Sequence, residues 1–263
     1  MKELYKKFSL KGKTSIVVGG SGQIGFETIS ILLQAGGKVI NLDGHDVRKK
    51  TKDYFFYKTN IDNEKEVIEV KKKFFKKHKK LNILINHAHY KGSSKKLEPK
   101  KSFFNNLENY PTEEWNKTLK TNLDGLFFTT KHFISLLKKN KNSVILNTSS
   151  TYGKVSPNKS IYGNSGINSP IGYATTKSAV IGFTKYIAAH YGDQGIRANI
   201  LIPGGVENKG QSKEFKKNYI NLTPLKRLAK KNEYAGAVLF LVSEASSYMT
   251  GSEFVIDGGW TSW

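Results

Sequence analysis

The stretch TSIVVGGSGQIG, residues 14–25 of the 263-residue chain, has the pattern of a strand, a glycine-rich turn and the start of a helix. Its first five residues form a β-branched run typical of a buried strand, and the apolar spacing from Ile24 to Gln34 predicts a helix. Glycines at positions 19, 22 and 25 allow a tight turn between the two and a close approach to a pyrophosphate at the helix N-terminus. A glycine triplet also fits an ordinary strand–helix turn, so its meaning depends on the residues that follow.

A carboxylate stands where a dinucleotide site needs one. The predicted second strand, Lys38–Leu42, is followed by Asp43, 18 residues after Gly25. A carboxylate at this point accepts hydrogen bonds from both ribose hydroxyls and repels a 2′-phosphate, so the pattern favours NAD over NADP. Two alternatives stay open: Asp43 is a turn residue only, or nearby His45 and Arg48 accommodate the phosphate of NADP.

Segments of strand and helix character alternate along the rest of the chain. Further strands are predicted at Asp53–Thr59, Asn82–Ile85, Ser143–Asn147, Arg197–Ile202 and Glu253–Ile256. Helices are predicted between them at Glu64–Lys80, at Thr112–Leu137, from Tyr173 onward and at Glu233–Ser243. We therefore expect a single doubly wound, Rossmann-type α/β domain over residues 1–263, with a parallel seven-stranded sheet and helices on both faces.

The composition narrows the classes of partner. The chain has 43 Lys+Arg against 21 Asp+Glu, a net charge of +22, yet arginine occurs only three times. Nucleic-acid binders usually use the planar fork of arginine, so a nucleic-acid partner is disfavoured and the lysines are interpreted as solvated surface. Part of the charge can still attract an anionic substrate.

Metal, disulfide and membrane functions are not indicated. The chain has no cysteine, and its six histidines are scattered without a metal-ligand spacing. No apolar run approaches the roughly 20 residues that cross a bilayer, and the N-terminal apolar stretch is too short for a signal peptide. We expect no metal, no membrane partner and a cytoplasmic location.

Tyr173 and Lys177 are spaced i, i+4, which places both side chains on one face of a helix. An ammonium beside a phenol lowers the phenol pKa from about 10 toward neutrality. The phenol can then give or take the proton that accompanies hydride transfer. Tyr-x-x-x-Lys also occurs as an ordinary surface pair.

Four further stretches give this pair a context: NTSSTYG at 147–153, PGG at 203–205, DGG at 257–259 and TEEWNKTLKTNLDGLFFTT at 112–130. Together, and in this order, they closely resemble the short-chain dehydrogenase/reductase family. The resemblance implies a catalytic group of Ser150, Tyr173, Lys177 and Asn122. Ser150 would hydrogen-bond the substrate oxygen, Tyr173 would be the acid/base, and Lys177 would bind the nicotinamide ribose and lower the Tyr173 pKa. Asn122, a polar kink in a long helix, would hold a water of the proton relay.

The resemblance also implies a set of residues around the cofactor: Gly19, Ser21, Gly22, Gln23, Ile24, Gly25, Asp43, Ile61, Asp62, Asn86, Ala88, Tyr173, Lys177, Pro203, Gly204 and Val206. Asp62, after the third predicted strand, is a candidate for the adenine edge, although a helix N-cap would look the same. The chain departs from the family pattern at Val18 and Gln23, and in Asn86-His87-Ala88-His89. The two histidines either face the substrate or reflect simple loop drift.

A gap of 23 residues separates Ser150 from Tyr173, longer than is usual in the family. This gap holds an insert, Pro157–Pro170. With the Gln-Ile-Gly turn and the Asp-Gly-Gly-Trp ending at Trp260, it resembles the flagellin modification protein A subgroup, which implies a sugar or sugar-phosphate substrate. The lysines of 91–101 are a hypothesis for holding an anionic group of that substrate.

The family further implies a homotetramer or homodimer, built partly through the helix that begins near Tyr173. Two alternatives to a carbohydrate-like substrate stay open. The same fold can reduce a 3-oxoacyl thioester with NADPH, which Asp43 argues against. From another class, the chain would be a non-catalytic NAD-sensing or basic nucleic-acid-binding module, which the intact Ser150, Tyr173 and Lys177 argue against.

Overall fold

The computed structural model describes residues 2–48, 51–90, 92 and 103–263. Its centre is a seven-stranded, all-parallel sheet in the order β3-β2-β1-β4-β5-β6-β7. The strands are β1 (Thr14–Val18), β2 (Lys38–Asp43), β3 (Tyr54–Lys58), β4 (Ile83–Asn86), β5 (Ser143–Thr148), β6 (Ile196–Pro203) and β7 (Glu253–Ile256). The predicted fold class, a doubly wound α/β sheet, is confirmed.

Helices connect the strands. They are α1 (Lys2–Phe8), α2 (Gln23–Gln34), α3 (Glu64–His78), α4 (Thr112–Leu119), α5 (Gly125–Leu137), α6 (Thr151–Lys154), α7 (Ile171–Tyr191), α8 (Lys213–Asn221) and α9 (Ala235–Val242). The sequence reasoning did not predict α1 or α8. The helix predicted over Glu233–Ser243 is instead a 3₁₀ turn, Lys231–Tyr234, followed by α9.

The two faces of the sheet bury separate apolar layers, as the alternation predicts. One layer packs α3, α5 and α7 against the sheet through residues such as Phe74, Phe133 and Ile187. The other packs α2 and α9 through residues such as Leu32 and Leu241. Both layers are screened from water, which accounts for the continuous apolar runs of the strands.

The direction in which the sheet grows reverses at β1. Strands β2 and β3 lie on one side of β1, and β4 to β7 lie on the other. Val18 at the end of β1 is in register with Leu42 on one side and with Asn86 on the other. The connections that follow these strands leave in opposite directions, which opens a crevice beyond their carboxyl ends.

The long helix predicted over 112–137 is interrupted. A π-helical turn, Lys120–Asp124, separates α4 from α5 and places Asn122 at the irregularity. π turns often occur at functional positions because they turn a side chain and a backbone group out of the regular ladder. None of the helices in the described ranges combines the length and the apolar character that crossing a bilayer requires.

Candidate active site

A cavity of about 780 Å³ occupies the crevice at the carboxyl ends of the strands. The strand order arranges its lining: Asp43 and His45 follow the course of β2 on one side, the glycine turn at 19–25 follows β1, and Tyr162 and Tyr173 come after β5 on the other side. All residues predicted to contact the cofactor line this cavity except Asn86. The sequence therefore located one continuous site rather than scattered positions.

The glycine turn is built by close backbone contacts. Gly19 has a φ of +78°, and a Cβ there would lie 2.5 Å from the backbone nitrogen of Ala88. A Cβ on Gly25 would lie 2.3 Å from the Gly19 carbonyl oxygen and 2.7 Å from the Gly20 Cα. Gly19 is needed because of its positive φ and the loop after β4, and Gly25 because the start of α2 packs directly on the turn.

The N-terminus of α2 fits a pyrophosphate group. Gly22 is the N-cap and supplies no capping side chain, and the first turn contains no acidic residue. Backbone N–H groups at a helix start are donors without an intrahelical partner, and the helix dipole favours an anion there. The turn and the helix start face the cavity together, so these residues fit a dinucleotide phosphate.

Asp43 is held in place by two backbone donors. Its Oδ2 accepts from the Ser21 N–H at 3.0 Å, and its Oδ1 accepts from the Gly44 N–H at 2.7 Å. Each carboxylate oxygen has a second lone pair, so both can still accept from ligand hydroxyls. The Asp43 carboxylate therefore lines the cavity with acceptor capacity to spare.

Arg48 is engaged elsewhere and is not among the residues that line the cavity. Its guanidinium stacks on Phe26, 3.8 Å from the ring centroid, and hydrogen-bonds the Phe26 carbonyl oxygen and the Ser30 hydroxyl. Of the two basic residues that left NADP open, only His45 therefore faces the site.

Asn41, on β2, holds the glycine turn through its side chain, and the sequence reasoning did not identify it. Its buried side chain accepts from the Gly20 N–H and donates to the Ser21 hydroxyl, both at 3.1 Å. It also donates to the Tyr54 hydroxyl at 3.2 Å. The sequence does show Asn41 as a polar residue between the apolar residues Ile40 and Leu42 of β2.

Asp62 lines the cavity and is not the cap of α3. Asn63 is the N-cap, and its side chain accepts from the Lys65 N–H. The Thr121 hydroxyl donates to Asp62 Oδ2 at 3.0 Å. The capping alternative for Asp62 is therefore removed, and the residue lies in the cavity lining.

Asn86 lies behind the main cavity. Its Nδ2 donates to Asn147 Oδ1 at 2.8 Å, and its Oδ1 accepts from the Thr129 hydroxyl at 3.1 Å. Asn147 in turn donates to the Thr184 hydroxyl at 2.9 Å. This chain of buried hydrogen bonds fastens β4, β5, α5 and α7 to each other.

Ser150 and Tyr173 meet at the end of the cavity opposite Asp43. The Ser150 hydroxyl caps α6 by accepting from the Tyr152 N–H at 3.2 Å, so its own proton remains to be donated. Burial raises the pKa of Tyr173, and a hydrogen bond with the Ser150 side chain lowers it. A hydroxyl donor to a phenol stabilises the phenolate, so the pair is arranged for proton transfer at Tyr173.

Lys177 lies one turn beyond Tyr173, as the spacing predicted. Its Nζ donates to the Thr148 carbonyl oxygen at 2.8 Å and lies 5.6 Å from the centroid of the Tyr173 ring. The lowering of the Tyr173 pKa by Lys177 stays a prediction, and in this structure that pKa is raised from its ordinary value. The reason is desolvation of the phenol, which outweighs the favourable interactions.

Asn122 bridges the loop after β4 and α7. Its Oδ1 accepts from the Tyr90 N–H at 2.7 Å, and its Nδ2 donates to the Thr176 hydroxyl at 2.9 Å. It lines a small cavity of about 10 Å³ together with Thr148 and Lys177. This space has the size of a single water molecule.

The two histidines after β4 differ in environment. His87 is buried between the hydroxyls of Thr28 (3.0 Å) and Thr148 (2.6 Å). Burial and the charge of Lys177 lower the pKa of His87 to about 3, so its ring is neutral and structural at ordinary pH. Both histidines are among the residues that line the cavity, and the His89 ring centroid lies 6.0 Å from that of Tyr173.

The insert forms part of the cavity wall. Tyr162 lies on it and contacts Phe215 of α8, with the ring centroids 5.7 Å apart. Tyr219, also on α8, stacks on Trp260 at 4.1 Å. The lysines of 91–101, including Lys95 and Lys96, lie outside the described residues. Within the described ranges, no group of three or more histidine or acidic side chains is placed to hold a metal ion.

Comparisons with known proteins agree with this geometry. The model of the family described as Enoyl-(Acyl carrier protein) reductase matches residues 23–261. A 3-oxoacyl-[acyl-carrier-protein] reductase FabG from Thermotoga maritima is 31% identical, over 95% of this chain and 98% of its own length.

Solved structures give the same answer. A short chain dehydrogenase from Leptospira borgpetersenii with bound NAD+ has 36% identity and a TM-score of 0.87, covering 99% of this chain and 96% of its own. Thermoplasma acidophilum aldohexose dehydrogenase has 26% identity and a TM-score of 0.81, covering 97% of this chain and 96% of its own. The chain belongs to the short-chain dehydrogenase/reductase family of oxidoreductases, which act on CH–OH groups.

Proposed function

We propose that this chain is an NAD-linked oxidoreductase that interconverts a secondary alcohol and a ketone, with Ser150, Tyr173 and Lys177 performing the chemistry. The observation that carries the proposal is the arrangement of one cavity. It has Asp43 at one end, a helix N-terminus in the middle, and a buried phenol beside a serine hydroxyl at the other end. A nicotinamide ring bound there would take or supply the hydride.

The chain's own residues handle the substrate oxygen. The Ser150 hydroxyl donates a hydrogen bond to that oxygen and holds it against Tyr173. In alcohol oxidation the Tyr173 phenolate takes the hydroxyl proton as the C–H bond breaks, and in ketone reduction the phenol returns it. The Lys177 ammonium stabilises the phenolate and binds the nicotinamide ribose. Asn122 and the small cavity beside it hold a water that links Lys177 to bulk solvent.

NAD is the proposed cofactor because Asp43 places a negative charge where NADP carries its 2′-phosphate, and Arg48 is held by Phe26 and Ser30. The relative from Leptospira borgpetersenii binds NAD+ and supports this choice. The experiment is a thermal shift with NAD, with NADP and with a short DNA duplex at two salt concentrations. Ligand at about 100 times its Kd stabilises by roughly 2.7 kcal/mol.

A shift with NAD and none with NADP or DNA is the expected result. A shift with NADP alone would transfer the proposal to NADP, and a salt-sensitive shift with DNA alone would overturn it. Turnover is tested with Tyr173→Phe, which should bind NAD as well as the unaltered chain and lose activity. Full activity of this variant would remove Tyr173 from the proposed chemistry.

Two substrate classes are supported by different observations. The names of the curated relatives favour a 3-oxoacyl thioester, the substrate class in the name of the Thermotoga maritima protein. A carbohydrate-like substrate is supported by the name of the aldohexose dehydrogenase and by the polar insert, which also carries the resemblance to flagellin modification proteins. Acetoacetyl-CoA with NADH and a panel of sugars with NAD+ distinguish them by relative kcat/KM.

A homodimer or homotetramer built through α7, and a cytoplasmic location, complete the proposal. Tyr186 on α7 is 56% exposed and Phe127 on α5 is 45% exposed, so both helices present apolar rings to the surface. Gel filtration with light scattering checks the assembly, and a monomer at micromolar concentration would contradict it.

A further inference from the structure

The insert brings a group of hydroxyls to the substrate end of the cavity. The Ser169 hydroxyl donates to the Tyr162 hydroxyl at 3.0 Å. Burial raises the pKa of Tyr162, and hydrogen bonds with Ser169 and Tyr152 act in the opposite direction. Ser169 and Tyr162 are thus hydrogen-bonded, and Tyr152 packs with Tyr162 against the same apolar group, so we call these three residues the hydroxyl cluster.

The hydroxyl cluster adjoins the reacting groups. Tyr152 and Tyr162 line the same cavity as Ser150 and Tyr173. Tyr152 follows Ser150 by two residues, and a negative charge on Tyr162 would raise the pKa of Tyr173. A substrate whose reacting oxygen lies on Ser150 and Tyr173 therefore extends directly toward the cluster.

The wall that carries the cluster is anchored. Ile161 is fully buried in an apolar group that includes Tyr219 and Trp260. Asn218 of α8 donates to the carbonyl oxygens of Ser160 and Ile161 at 3.4 and 3.5 Å. Because the insert is fixed to α8, the hydroxyls are in position before a ligand arrives, and less ordering entropy is lost on binding.

At this end of the cavity the described lining carries a single fixed charge, the Lys177 ammonium. Among the described residues that line the cavity there, Lys177 is the sole lysine, and no aspartate, glutamate or arginine is present. The remaining polar lining includes the amides of Asn208 and Gln211. Phenols and amides both donate and accept hydrogen bonds, which suits a hydroxyl or carbonyl group rather than a carboxylate or phosphate.

We propose that the hydroxyl cluster binds a second, uncharged oxygen of the substrate, on a carbon beyond the one that reacts. Tyr152 and Tyr162 make the contact, and Ser169 positions Tyr162. The substrate is accordingly a small molecule with at least two neutral oxygen functions. This inference rests on the proposed oxidoreductase function and deepens it, because it selects among alcohols. A site built to hydrogen-bond a hydroxyl discriminates strongly against an analogue that lacks it.

The test uses alcohols that differ in one hydroxyl: cyclohexanol and the trans-1,2-, 1,3- and 1,4-cyclohexanediols, each with NAD+. After correction for two equivalent hydroxyls, we expect kcat/KM of at least one diol to exceed that of cyclohexanol about tenfold. Tyr162→Phe should bring this ratio toward one, and Ser169→Ala should lower it less. Tyr248→Phe is the matched control, since Tyr248 is 105% exposed, and it should leave the ratio unchanged.

Equal kcat/KM for diols and cyclohexanol in the unaltered chain overturns the inference. So does an equal loss on all alcohols in Tyr162→Phe, which would indicate a merely structural role. If turnover is slow, saturation-transfer NMR on the NADH complex compares the binding of the diols with the binding of cyclohexanol. The thermal shift with NAD separates the two proposals. If NAD gives no shift, the proposed oxidoreductase function fails. If NAD gives a normal shift but no diol is preferred, only the inference about the hydroxyl cluster fails.

Discussion

The Ser149 hydroxyl donates a 2.6 Å hydrogen bond to the Lys177 carbonyl oxygen and thereby ties the end of β5 to the second turn of α7. The contact is close enough that a Cβ on Gly153 would lie 2.3 Å from the Ser149 Oγ. The two adjacent serines therefore have different roles. Ser149 holds the two elements together, and Ser150 faces Tyr173.

Substitutions of the two serines should therefore give different phenotypes. Ser149→Ala removes a second donor from the Lys177 carbonyl oxygen, which keeps its helical N–H donor, and should lower the free energy of unfolding by about 0.5–1.5 kcal/mol with little change in kcat. Ser150→Ala removes the N-cap of α6, should lower the free energy of unfolding by about 0.5–2 kcal/mol, and should also lower kcat by about 10² or more. Urea unfolding and steady-state kinetics on both variants check this, and lower activity in Ser149→Ala than in Ser150→Ala would contradict it.

The pH dependence of the reaction should follow Tyr173. Because burial raises the pKa of Tyr173 above its ordinary value of about 10, alcohol oxidation, which needs the phenolate, should still gain rate with rising pH at pH 10. Ketone reduction needs the phenol, so its rate should stay level up to that pH and fall only above the pKa. Ser150→Ala removes the hydrogen bond that lowers this pKa, so both profiles should move to higher pH. The residual activity of Ser150→Ala is compared with Ser149→Ala, whose profile should stay in place.

Cofactor choice should depend on the charge of Asp43. Asp43→Asn removes that charge at nearly constant volume and should lower the ratio of kcat/KM with NAD to kcat/KM with NADP about tenfold or more. Asp46→Asn is the matched control, because Asp46 binds the Tyr54 hydroxyl and is not among the cavity-lining residues. An equal change in both variants would attribute the effect to net charge instead.

Acid should destabilise the fold through His78. Burial, with the charges of Lys38 and Lys77, lowers the pKa of His78 to about 4, so the folded chain holds this ring neutral. The unfolded chain binds the proton near pH 6.5. The stabilisation is therefore complete above pH 6.5 and is lost as pH falls toward 4, by about 1–3 kcal/mol. His78→Phe should flatten this part of the stability profile, and an unchanged profile would exclude His78 as the cause.

The close contact at Gly25 predicts loss of the nucleotide turn. Gly25→Ala places a Cβ 2.3 Å from the Gly19 carbonyl oxygen, so the start of α2 must move and both stability and NAD binding should fall. Gly236→Ala in α9 is the control. A Cβ there meets nothing within 4 Å, and the change should be neutral or stabilise by up to about 1 kcal/mol. Calorimetry with and without NAD compares the two.

The architecture and the active-site pair were predictable because they depend on local periodicity. Alternating strand and helix patterns leave few ways to build a parallel sheet, and the glycine turn lies at its point of reversal. The i, i+4 spacing of Tyr173 and Lys177 determines their shared face as soon as α7 forms. The break in the long helix at Asn122 was expected as a polar kink, although its π-helical form was not.

Other features were decided by contacts between distant parts of the chain. Arg48 is turned away from the cavity by Phe26, and Asn41 supports the glycine turn from a neighbouring strand. The sequence reasoning missed α8 although Ser212 caps it. The apolar side chains of α8 pack against the insert, and this contact cannot be seen from the sequence of α8 alone. The raised pKa of Tyr173 also depends on tertiary packing, because desolvation comes from every segment that surrounds the phenol.

Patterns along the chain predicted the order of the elements, the glycine turn and most of the side chains that line the cavity. Backbone periodicity and steric demands on glycine act over a few residues and can be read along the chain. Tertiary contacts were needed to show that Ser149 fastens β5 to α7, how far the Tyr173 phenol is desolvated, and where the insert places its hydroxyls. These depend on packing between segments far apart in sequence, whose energies arise only when the segments are brought together.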